Sequence, residues 1–224
     1  MSSVPVITLD GPSGSGKGTV STRLASKLGW HYLDSGAIYR ALAHAAGLAG
    51  VTESGAAAEI ARGLQLAFRP APDGGAAVLL DGADITDAIR TEECGALASR
   101  FAADPAVREA LLQRQRDFRQ APGLVADGRD MGPVVFADAE HKIYLTASAE
   151  VRAERRHKQL KQKGINDSIA RLLEVIRERD ARDEGRETSP LKPAADAIVL
   201  DTSDMSLEEV VESVQQKVGY SSLS

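Results

Sequence analysis

The residue types best suited to chemistry lie near the amino terminus, where glycines and hydroxyl residues precede a lysine. Gly11 and Gly16 are separated by four residues, and Lys17 follows directly. This spacing is typical of a loop whose backbone N–H groups cradle phosphate oxygens, because glycine permits the tight turn and the close approach of the ligand. Lys17 adds a positive charge for the outer phosphates. The predicted ATP-binding segment is Gly11, Pro12, Ser13, Gly14, Ser15, Gly16, Lys17, Gly18 and Thr19.

The residues on either side of this loop predict a strand before it and a helix after it. The apolar run 6–9 is typical of a buried strand. Val20, Leu24 and Leu28 then recur every four residues, as on one face of a helix. The positive N-terminal end of that helix would face a bound anion. A dinucleotide-binding loop fits poorly, because it requires glycine or alanine at the position of Thr19.

A second group of charged residues follows the apolar run 124–126, which predicts another buried strand. The run ends in Asp127, and a carboxylate at such a place beside a phosphate site can hold a magnesium-bound water. The hydroxyl residue that usually follows the lysine and binds magnesium is replaced by Gly18. The candidate magnesium ligands are therefore Thr19, one residue later, and Asp127. Arg129, in the next turn, is a candidate bidentate phosphate clamp.

The composition is that of one soluble domain. The chain has 224 residues, of which 43% are hydrophobic and 26% are charged. Its single cysteine, Cys94, excludes an internal disulfide. The sequence has no signal-peptide pattern and no apolar run of about 20 residues. We therefore expect a cytoplasmic protein that binds no membrane, and we expect it to be a monomer.

Positive charge is concentrated beyond the middle of the chain, although the net charge is −5. Residues 151–186 contain eleven Lys and Arg against seven Asp and Glu, with no Phe, Tyr or Trp. A nucleic-acid-binding surface usually combines basic residues with aromatic ones. A compact polyanion is therefore the better predicted partner, and we expect no nucleic-acid partner.

The order of predicted elements indicates a three-layer α/β domain of the P-loop NTPase type, with a mostly parallel sheet and helices on both faces. Residues 64–90 change to period-two alternation around turn residues at 70–75, which predicts a small antiparallel insertion. Residues 151–186 predict two arginine-rich helices that resemble a lid, with a solvated helical hairpin as the alternative. We expect the chain 1–224 to form a single domain.

Four motifs together carry a closer resemblance. They are Gly-Pro-Ser-Gly-Ser-Gly-Lys-Gly-Thr at 11–19, Leu-Asp-Ser-Gly-Ala-Ile-Tyr-Arg at 33–40, Ala-Asp-Gly-Arg-Asp-Met-Gly at 126–132 and Glu-Arg-Asp-Ala-Arg-Asp at 178–183. Together these motifs resemble those of the bacterial cytidylate kinases, and the resemblance extends over almost the whole chain. This resemblance implies transfer of the γ-phosphoryl group of ATP, with Mg²⁺, to CMP or dCMP. It also implies that the antiparallel insertion belongs to the acceptor-binding lobe and that the arginine-rich helices close as a lid.

The resemblance further implies which residues bind the acceptor. Arg40 and Arg129 would hold its phosphate. Ser99, Arg108 and Asp130 would read the cytosine; a carboxylate can accept from its exocyclic amine and an arginine can donate to its acceptors. The residues that would bind the sugar and phosphates as the lid closes are Arg179, Asp183 and Arg186, with Ser35 nearby. The predicted catalytic residues are Lys17, Arg129, Arg179 and Arg186.

Two other functions remain open from the sequence. A P-loop kinase for a different small acceptor would share residues 11–19, but it gives no reason to combine Ser99, Arg108 and Asp130. A nucleotide-binding module without turnover, such as a GTPase-like switch, would also share the loop. The Asn-Lys-x-Asp motif of guanine recognition is absent from the sequence, which disfavours the switch.

Overall fold

Five parallel strands form the main sheet of the computed structural model, which describes residues 4–70, 76–162 and 164–219. The strands among these residues are β1 (Val6–Asp10), β2 (His31–Asp34), β3 (Leu66–Pro70), β4 (Ala76–Leu80), β5 (Ala83–Asp84), β6 (Leu124–Gly128), β7 (His141–Thr146) and β8 (Ile198–Asp201). The α-helices are α1 (Lys17–Leu28), α2 (Ser35–Leu48), α3 (Ser54–Gly63), α4 (Glu92–Phe101), α5 (Pro105–Arg116), α6 (Ala149–Gln162), α7 (Ile169–Glu184) and α8 (Leu207–Val218).

The strand order places β1 at the centre of the main sheet. The strands lie in the order β2-β6-β1-β7-β8, and every neighbouring pair is parallel. Asp10 at the end of β1 is level with Gly128 of β6, and Asp34 of β2 is level with Asp127. The phosphate-binding loop and the turn after β6 therefore leave the sheet side by side, at the edge where α/β proteins bind ligands.

Helices cover both faces of this sheet. Ile7 of β1 packs in a buried core with Leu24 of α1 and Val214 of α8. Val6 points to the opposite face, because side chains alternate along a strand. It lies in a second buried core, which includes Ile38 of α2. These two cores confirm the predicted three-layer α/β fold of the P-loop NTPase type.

The predicted antiparallel segment forms a separate small sheet. Its strands lie in the order β3-β4-β5. β3 and β4 are antiparallel, with Leu66 opposite Leu80. Apart from Pro70, the residues of the predicted turn, 71–75, lie outside the described part of the chain. That this segment belongs to an acceptor-binding lobe stays a prediction.

The arginine-rich part of the chain folds into α6 and α7, which pack against each other. Gly164 lies between them with a φ of 74°, a conformation that favours glycine. The two helices share a small core of their own, formed by Ala153, Leu160, Leu172 and Ile176. Two helices that pack on each other in this way fit a lid and a solvated hairpin alike, so their role as a lid stays a prediction.

Local sequence patterns predict neither α3 nor α4. The buried residues of α3 are Ala57, Ala58 and Ala61, and alanine gives a weak apolar pattern because its side chain is small. The start of α4 is capped by Thr91, whose hydroxyl accepts from the Cys94 backbone N–H. In the described parts of the chain, no helix is long and apolar enough to span a bilayer.

Candidate active site

The phosphate-binding loop leaves the carboxyl end of β1 and leads into α1. A Cβ at Gly11 would lie 2.0 Å from the carbonyl oxygen of Leu145, so only glycine fits beside β7. Gly16 caps α1 with a φ of 88°. Lys17 is the first residue of α1, and its Nζ donates to the carbonyl oxygen of Pro12 over 3.1 Å. The loop thus curves around the lysine ammonium, as expected for a phosphate-binding loop.

The charged groups around Lys17 are buried and shift one another's pKa. Burial, followed by the nearby Arg129, lowers the pKa of Lys17 to about 7. Burial, followed by the neighbouring Asp34, raises the pKa of Asp127 to about 7. The Tyr32 hydroxyl donates to Asp127 Oδ2 over 2.9 Å. A phosphate placed here would favour the charged form of Lys17, because a nearby negative charge raises the pKa of an ammonium group.

The two predicted magnesium ligands lie in different surroundings. Asp127 is buried, and a Cβ at Gly18 would lie 3.3 Å from its Oδ2, so the carboxylate lies against the first turn of α1. Thr19 is exposed on that turn, and among the described residues no hydrogen bond joins its side chain to Asp127. The described residues also contain no cluster of three or more His, Cys, Asp or Glu that would hold a metal alone. This donor set fits Mg²⁺, which is commonly held by one or two carboxylates together with substrate phosphates.

A cavity of about 50 Å³ brings the predicted acceptor-binding residues together. All of them line it: Ser35, Arg40, Ser99, Arg108, Arg129, Asp130, Asp183 and Arg186. Arg179, a predicted catalytic residue, lines the same cavity. Arg129 and Arg179 both lower the pKa of Lys17, which places the phosphate-binding loop next to the cavity. Ligand pockets usually measure about 300–1,000 Å³, so a nucleotide would enter only with movement of the lining side chains.

The cavity carries an excess of positive charge. Five arginines and two aspartates line it. Among the described residues, the Nε atoms of Arg179 and Arg186 are buried and donate to no acceptor. Burial, followed by Arg129, lowers the pKa of Arg179 to about 10. Buried donors rarely lack acceptors in folded proteins, so the cavity is suited to an anion with several oxygen atoms, such as phosphate.

Asp183 of α7 lies between two of these arginines. Its Oδ2 accepts from Arg129 Nε over 3.0 Å, and its Oδ1 accepts from Arg186 Nη2. Burial opposes the charged carboxylate, but Arg129, Arg186 and Arg179 hold the pKa of Asp183 below its ordinary value. These ion pairs join the arginine-rich helices to the turn after β6, which carries Arg129.

A buried ion pair forms one side of the cavity. Arg108 Nη2 donates to Asp130 Oδ2, and the Arg108 guanidinium lies 5.9 Å from the centre of the Tyr39 ring. Ser99 on α4 accepts from Arg182 Nη1 over 3.4 Å. A carboxylate next to an arginine offers an acceptor beside donors, and this combination can recognise a base edge that carries an amine and a carbonyl.

Sequence comparison identifies the family. The family model described as Cytidylate kinase matches residues 7–219 of this chain. The chain belongs to the cytidylate kinase family. A similar curated protein, the cytidylate kinase of Methylococcus capsulatus, is 58% identical over 211 residues, which are 93% of this chain and 94% of the relative. The cytidylate kinase of Stutzerimonas stutzeri is 59% identical over 218 residues, 96% of this chain and 95% of the relative. The resemblance inferred from the four motifs is therefore confirmed.

In this cytidylate kinase family member, Arg152 joins the phosphate-binding loop to both arginine-rich helices. The four sequence motifs do not predict this contact. Arg152 of α6 is buried, and its Nη1 donates to the carbonyl oxygen of Ser13 over 3.1 Å. The same guanidinium binds Asp180 of α7 in a bidentate way, over 3.0 and 2.5 Å. Nothing in the sequence separates Arg152 from its neighbours Arg155 and Arg156, since all three are arginines of one helix.

A second unpredicted contact supports the cavity from α5. Gln115 is buried, and its Oε1 accepts from the Ser35 hydroxyl over 2.8 Å. The signal for this residue was its spacing, because Gln115 follows the buried Leu111 by four positions and so lies on the same face of α5. A polar side chain on a buried helix face needs a hydrogen-bond partner, and here that partner, Ser35, lines the cavity.

Gly95 of α4 makes room for Arg40, which is predicted to bind the acceptor phosphate in this cytidylate kinase family member. A Cβ at Gly95 would lie 2.6 Å from Arg40 Nη2. The Arg40 guanidinium is held against α4 because its Nη1 donates to the carbonyl oxygens of Ile89, over 2.7 Å, and Thr91, over 3.1 Å. Any side chain at position 95 would therefore displace Arg40.

Proposed function

We propose that this chain catalyses transfer of the γ-phosphoryl group of ATP to CMP and dCMP, giving CDP and dCDP. The observation that carries the proposal is the cavity in which a buried carboxylate–arginine pair, Asp130 and Arg108, lies among further arginines. Lys17 of the phosphate-binding loop lies within electrostatic range of that cavity. Family membership supports the same activity, because the similar curated proteins are named cytidylate kinases.

Transfer requires two phosphates at one place. In the proposed complex the loop amides and Lys17 hold the outer phosphates of ATP, while Arg40 and Arg129 hold the phosphate of the acceptor. An oxygen of the acceptor phosphate then attacks the γ-phosphorus, the bond to the oxygen that bridges to the β-phosphorus breaks, and ADP leaves. Charge spreads over the moving group in this loose transition state, so cationic side chains that are already in place lower the barrier. Arg179 and Arg186 supply such charges.

Base selection follows from the buried pair. Asp130 accepts from the exocyclic amine of cytosine, and Arg108 and Ser99 contact its other polar atoms. Uracil carries a carbonyl oxygen where cytosine carries the amine, so Asp130 would face another acceptor in the complex with UMP. A buried polar group left without its partner is the strongest basis for rejecting a similar substrate. Asp183 and Ser35 complete the contacts to the sugar and phosphate.

Mg²⁺ belongs to the proposed reaction as the companion of ATP. Asp127, through a water molecule, and Thr19 are the residues that would hold it beside the phosphates. When bound, the ion neutralises charge on the β- and γ-phosphate oxygens. The carboxylate of Asp127 also lies near Lys17 and so balances part of the positive charge at the loop.

The proposed roles of the other segments extend this assignment. Residues 64–90 would help to hold the acceptor, and the helices of 151–186 would close over both nucleotides as a lid. Closure excludes water, which would otherwise accept the phosphoryl group. One domain of residues 1–224, a monomer, a cytoplasmic location and the absence of nucleic-acid partners all stay predictions.

The activity is tested by offering several acceptors in parallel. ADP release would be measured with ATP and Mg²⁺ in the presence of CMP, dCMP, UMP, AMP, GMP or shikimate. We expect strong turnover with CMP and dCMP alone. Turnover confined to another acceptor would favour a different small-molecule kinase, and tight ATP binding with no turnover would favour a nucleotide-binding module.

The position of Arg40 provides a separate test. We expect Gly95→Ala to raise the KM for CMP about tenfold, because a charge-assisted hydrogen bond to phosphate is weakened. The KM for ATP should stay near the wild-type value, and the melting temperature should not fall, because alanine favours the helical conformation of α4. Steady-state kinetics with each substrate varied in turn provides the measurement.

The matched control for this prediction is Gly47→Ala. Gly47 lies in α2, the helix that carries Arg40, and nothing lies within 4 Å of a Cβ built there. Its KM values should match those of the wild type. An unchanged KM for CMP in Gly95→Ala would remove Arg40 from the proposed phosphate site.

A further inference from the structure

Asp10 is a buried carboxyl group that neither the motifs nor the proposed mechanism uses. It is the last residue of β1, directly before Gly11 of the phosphate-binding loop, and it is 4% exposed. Its Oδ1 accepts from the backbone N–H of Met131 and its Oδ2 from that of Gly132, each over 2.8 Å. Both oxygens of one side chain thus bind consecutive amides of the turn that follows β6.

These two amides begin a short π-helical turn, Met131–Val135, and the residue before it is Asp130. Aspartate in such a position usually folds back to accept from the free N–H groups at the start of the turn. Asp130 does not: its side chain makes no capping hydrogen bond and binds Arg108 instead. Asp10 therefore supplies, from β1, acceptors at a place where the side chain of the capping residue, Asp130, would usually supply one.

Burial makes the charged form of the Asp10 carboxyl group costly in the folded protein. Burial raises its pKa to about 7, and the two amide hydrogen bonds oppose this rise only in part. Its folded pKa lies above the unfolded value of about 3.9, so its contribution to stability is lost as the pH rises towards the folded pKa. An apolar residue in this central strand would avoid this cost but would leave the buried Met131 and Gly132 amides without these acceptors. What the carboxylate provides is therefore its pair of hydrogen bonds.

We propose that Asp10 is a positioning residue for base selection: it binds the Met131 and Gly132 amides, so the Asp130 carboxylate does not cap this turn and, paired with Arg108, can face the acceptor base. This inference rests on the proposed function, because it assigns Asp130 to the base. Asp10 directly precedes the phosphate-binding loop and also binds the amide of Met131, the residue after Asp130. It therefore links the proposed ATP site to the proposed acceptor site.

The test is the ratio of kcat/KM for CMP to kcat/KM for UMP in Asp10→Asn. Asparagine keeps the size of the side chain but turns one acceptor oxygen into an NH₂ group, which cannot bind the second amide. The Asp130 carboxylate then becomes the acceptor nearest in sequence, and we expect the ratio to fall about tenfold. The KM for ATP should change less than the KM for CMP.

A matched control separates positioning from loss of stability. Ile7→Val creates a small cavity in the same strand, away from the turn, and should lower the melting temperature with no change in the CMP to UMP ratio. Each ratio compares two substrates with one enzyme preparation, so a partly unfolded sample does not alter it. A wild-type ratio in folded Asp10→Asn would overturn the inference.

The double variant Asp10→Asn with Asp130→Asn tests whether Asp10 acts through Asp130. If Asp10 acts only through Asp130, the double variant should discriminate between CMP and UMP as well as Asp130→Asn alone does. Additive losses would contradict this. The wild-type enzyme in the same assay keeps the two proposals apart: without turnover of CMP the proposed function fails, whereas wild-type selectivity in Asp10→Asn ends the Asp10 inference alone.

A measurement on the wild-type protein covers the case in which Asp10→Asn does not fold. The Met131 and Gly132 amides should exchange with solvent as slowly as the amides of β1, because a buried carboxylate holds them. Hydrogen exchange followed by nuclear magnetic resonance gives these rates. Fast exchange at both amides, like that of an exposed loop, would overturn the proposal.

Discussion

Lys17→Met is expected to lower kcat by about 10³-fold or more while the melting temperature stays equal to that of the wild type or rises. The loss arises because Lys17 is the cation that the phosphate-binding loop surrounds, with its Nζ held by the Pro12 carbonyl oxygen. The gain in stability arises because burial lowers the pKa of Lys17 to about 7, which marks the charged form as unfavourable in the folded protein. Methionine has a similar length and no charge. The measurements are kcat at saturating ATP, Mg²⁺ and CMP, and thermal unfolding.

Lys27→Met is the control for this prediction. Lys27 lies in the last turn of the same helix, and its Nζ donates to Gln215 Oε1 over 3.0 Å at the surface. We expect its kcat to match that of the wild type. If Lys17→Met retained kcat within about tenfold of the wild type, the loss would lie below that of a single transition-state hydrogen-bond donor, and the assignment of Lys17 would fail.

Asp130→Ala is expected to weaken both the fold and base selection. Arg108 is buried and pairs with Asp130. Removal of one partner from a buried ion pair usually costs about 3–5 kcal/mol of stability, because the other charge is left uncompensated. The preference for CMP over UMP, as a ratio of kcat/KM values, should fall by about 10–100-fold, the worth of one good base contact. The KM for ATP should stay near that of the wild type.

Denaturant unfolding and kinetics with both acceptors measure these two effects. Asp138→Ala is the matched control, because Asp138 also pairs with an arginine, Arg119, over 2.7 Å, but its side chain is 63% exposed. An exposed pair of this kind contributes about 0–1 kcal/mol, so both stability and selectivity should stay close to the wild type. Unchanged selectivity in Asp130→Ala would remove Asp130 from base recognition, whatever its effect on stability.

The phosphate-binding loop was predictable because each of its requirements is local. The spacing of Gly11, Gly16 and Lys17, the apolar strand before them and the helical period after them all lie within one short segment. The structure places them as a strand, a loop that surrounds the lysine, and a helix. Asp127 was predicted in the same way, as a carboxylate that ends an apolar run, and its part in holding magnesium stays a prediction.

Apart from Arg129, the predicted acceptor-binding residues were accessible from the sequence only through family resemblance. Ser99 lies on α4, and that helix has no predicted counterpart, so no local pattern indicates that Ser99 lines the cavity. The structure brings Ser99 into the same cavity as Arg108 and Asp130, but their roles toward cytosine stay predictions. Gly95 likewise has no local signal, because its significance comes from the Arg40 guanidinium of another helix.

By itself the sequence determined the fold class, the phosphate-binding loop and the family, because these depend on periodic patterns and short motifs that neighbouring residues complete. The tertiary structure alone decided which charges meet. Asp183 lies between Arg129 and Arg186, and Asp10 binds the amides of Met131 and Gly132, because the parallel order of strands brings β1 beside β6 and helix packing brings α7 to the same edge. Contacts between residues far apart in the chain depend on strand order and side-chain packing, which local sequence patterns do not specify.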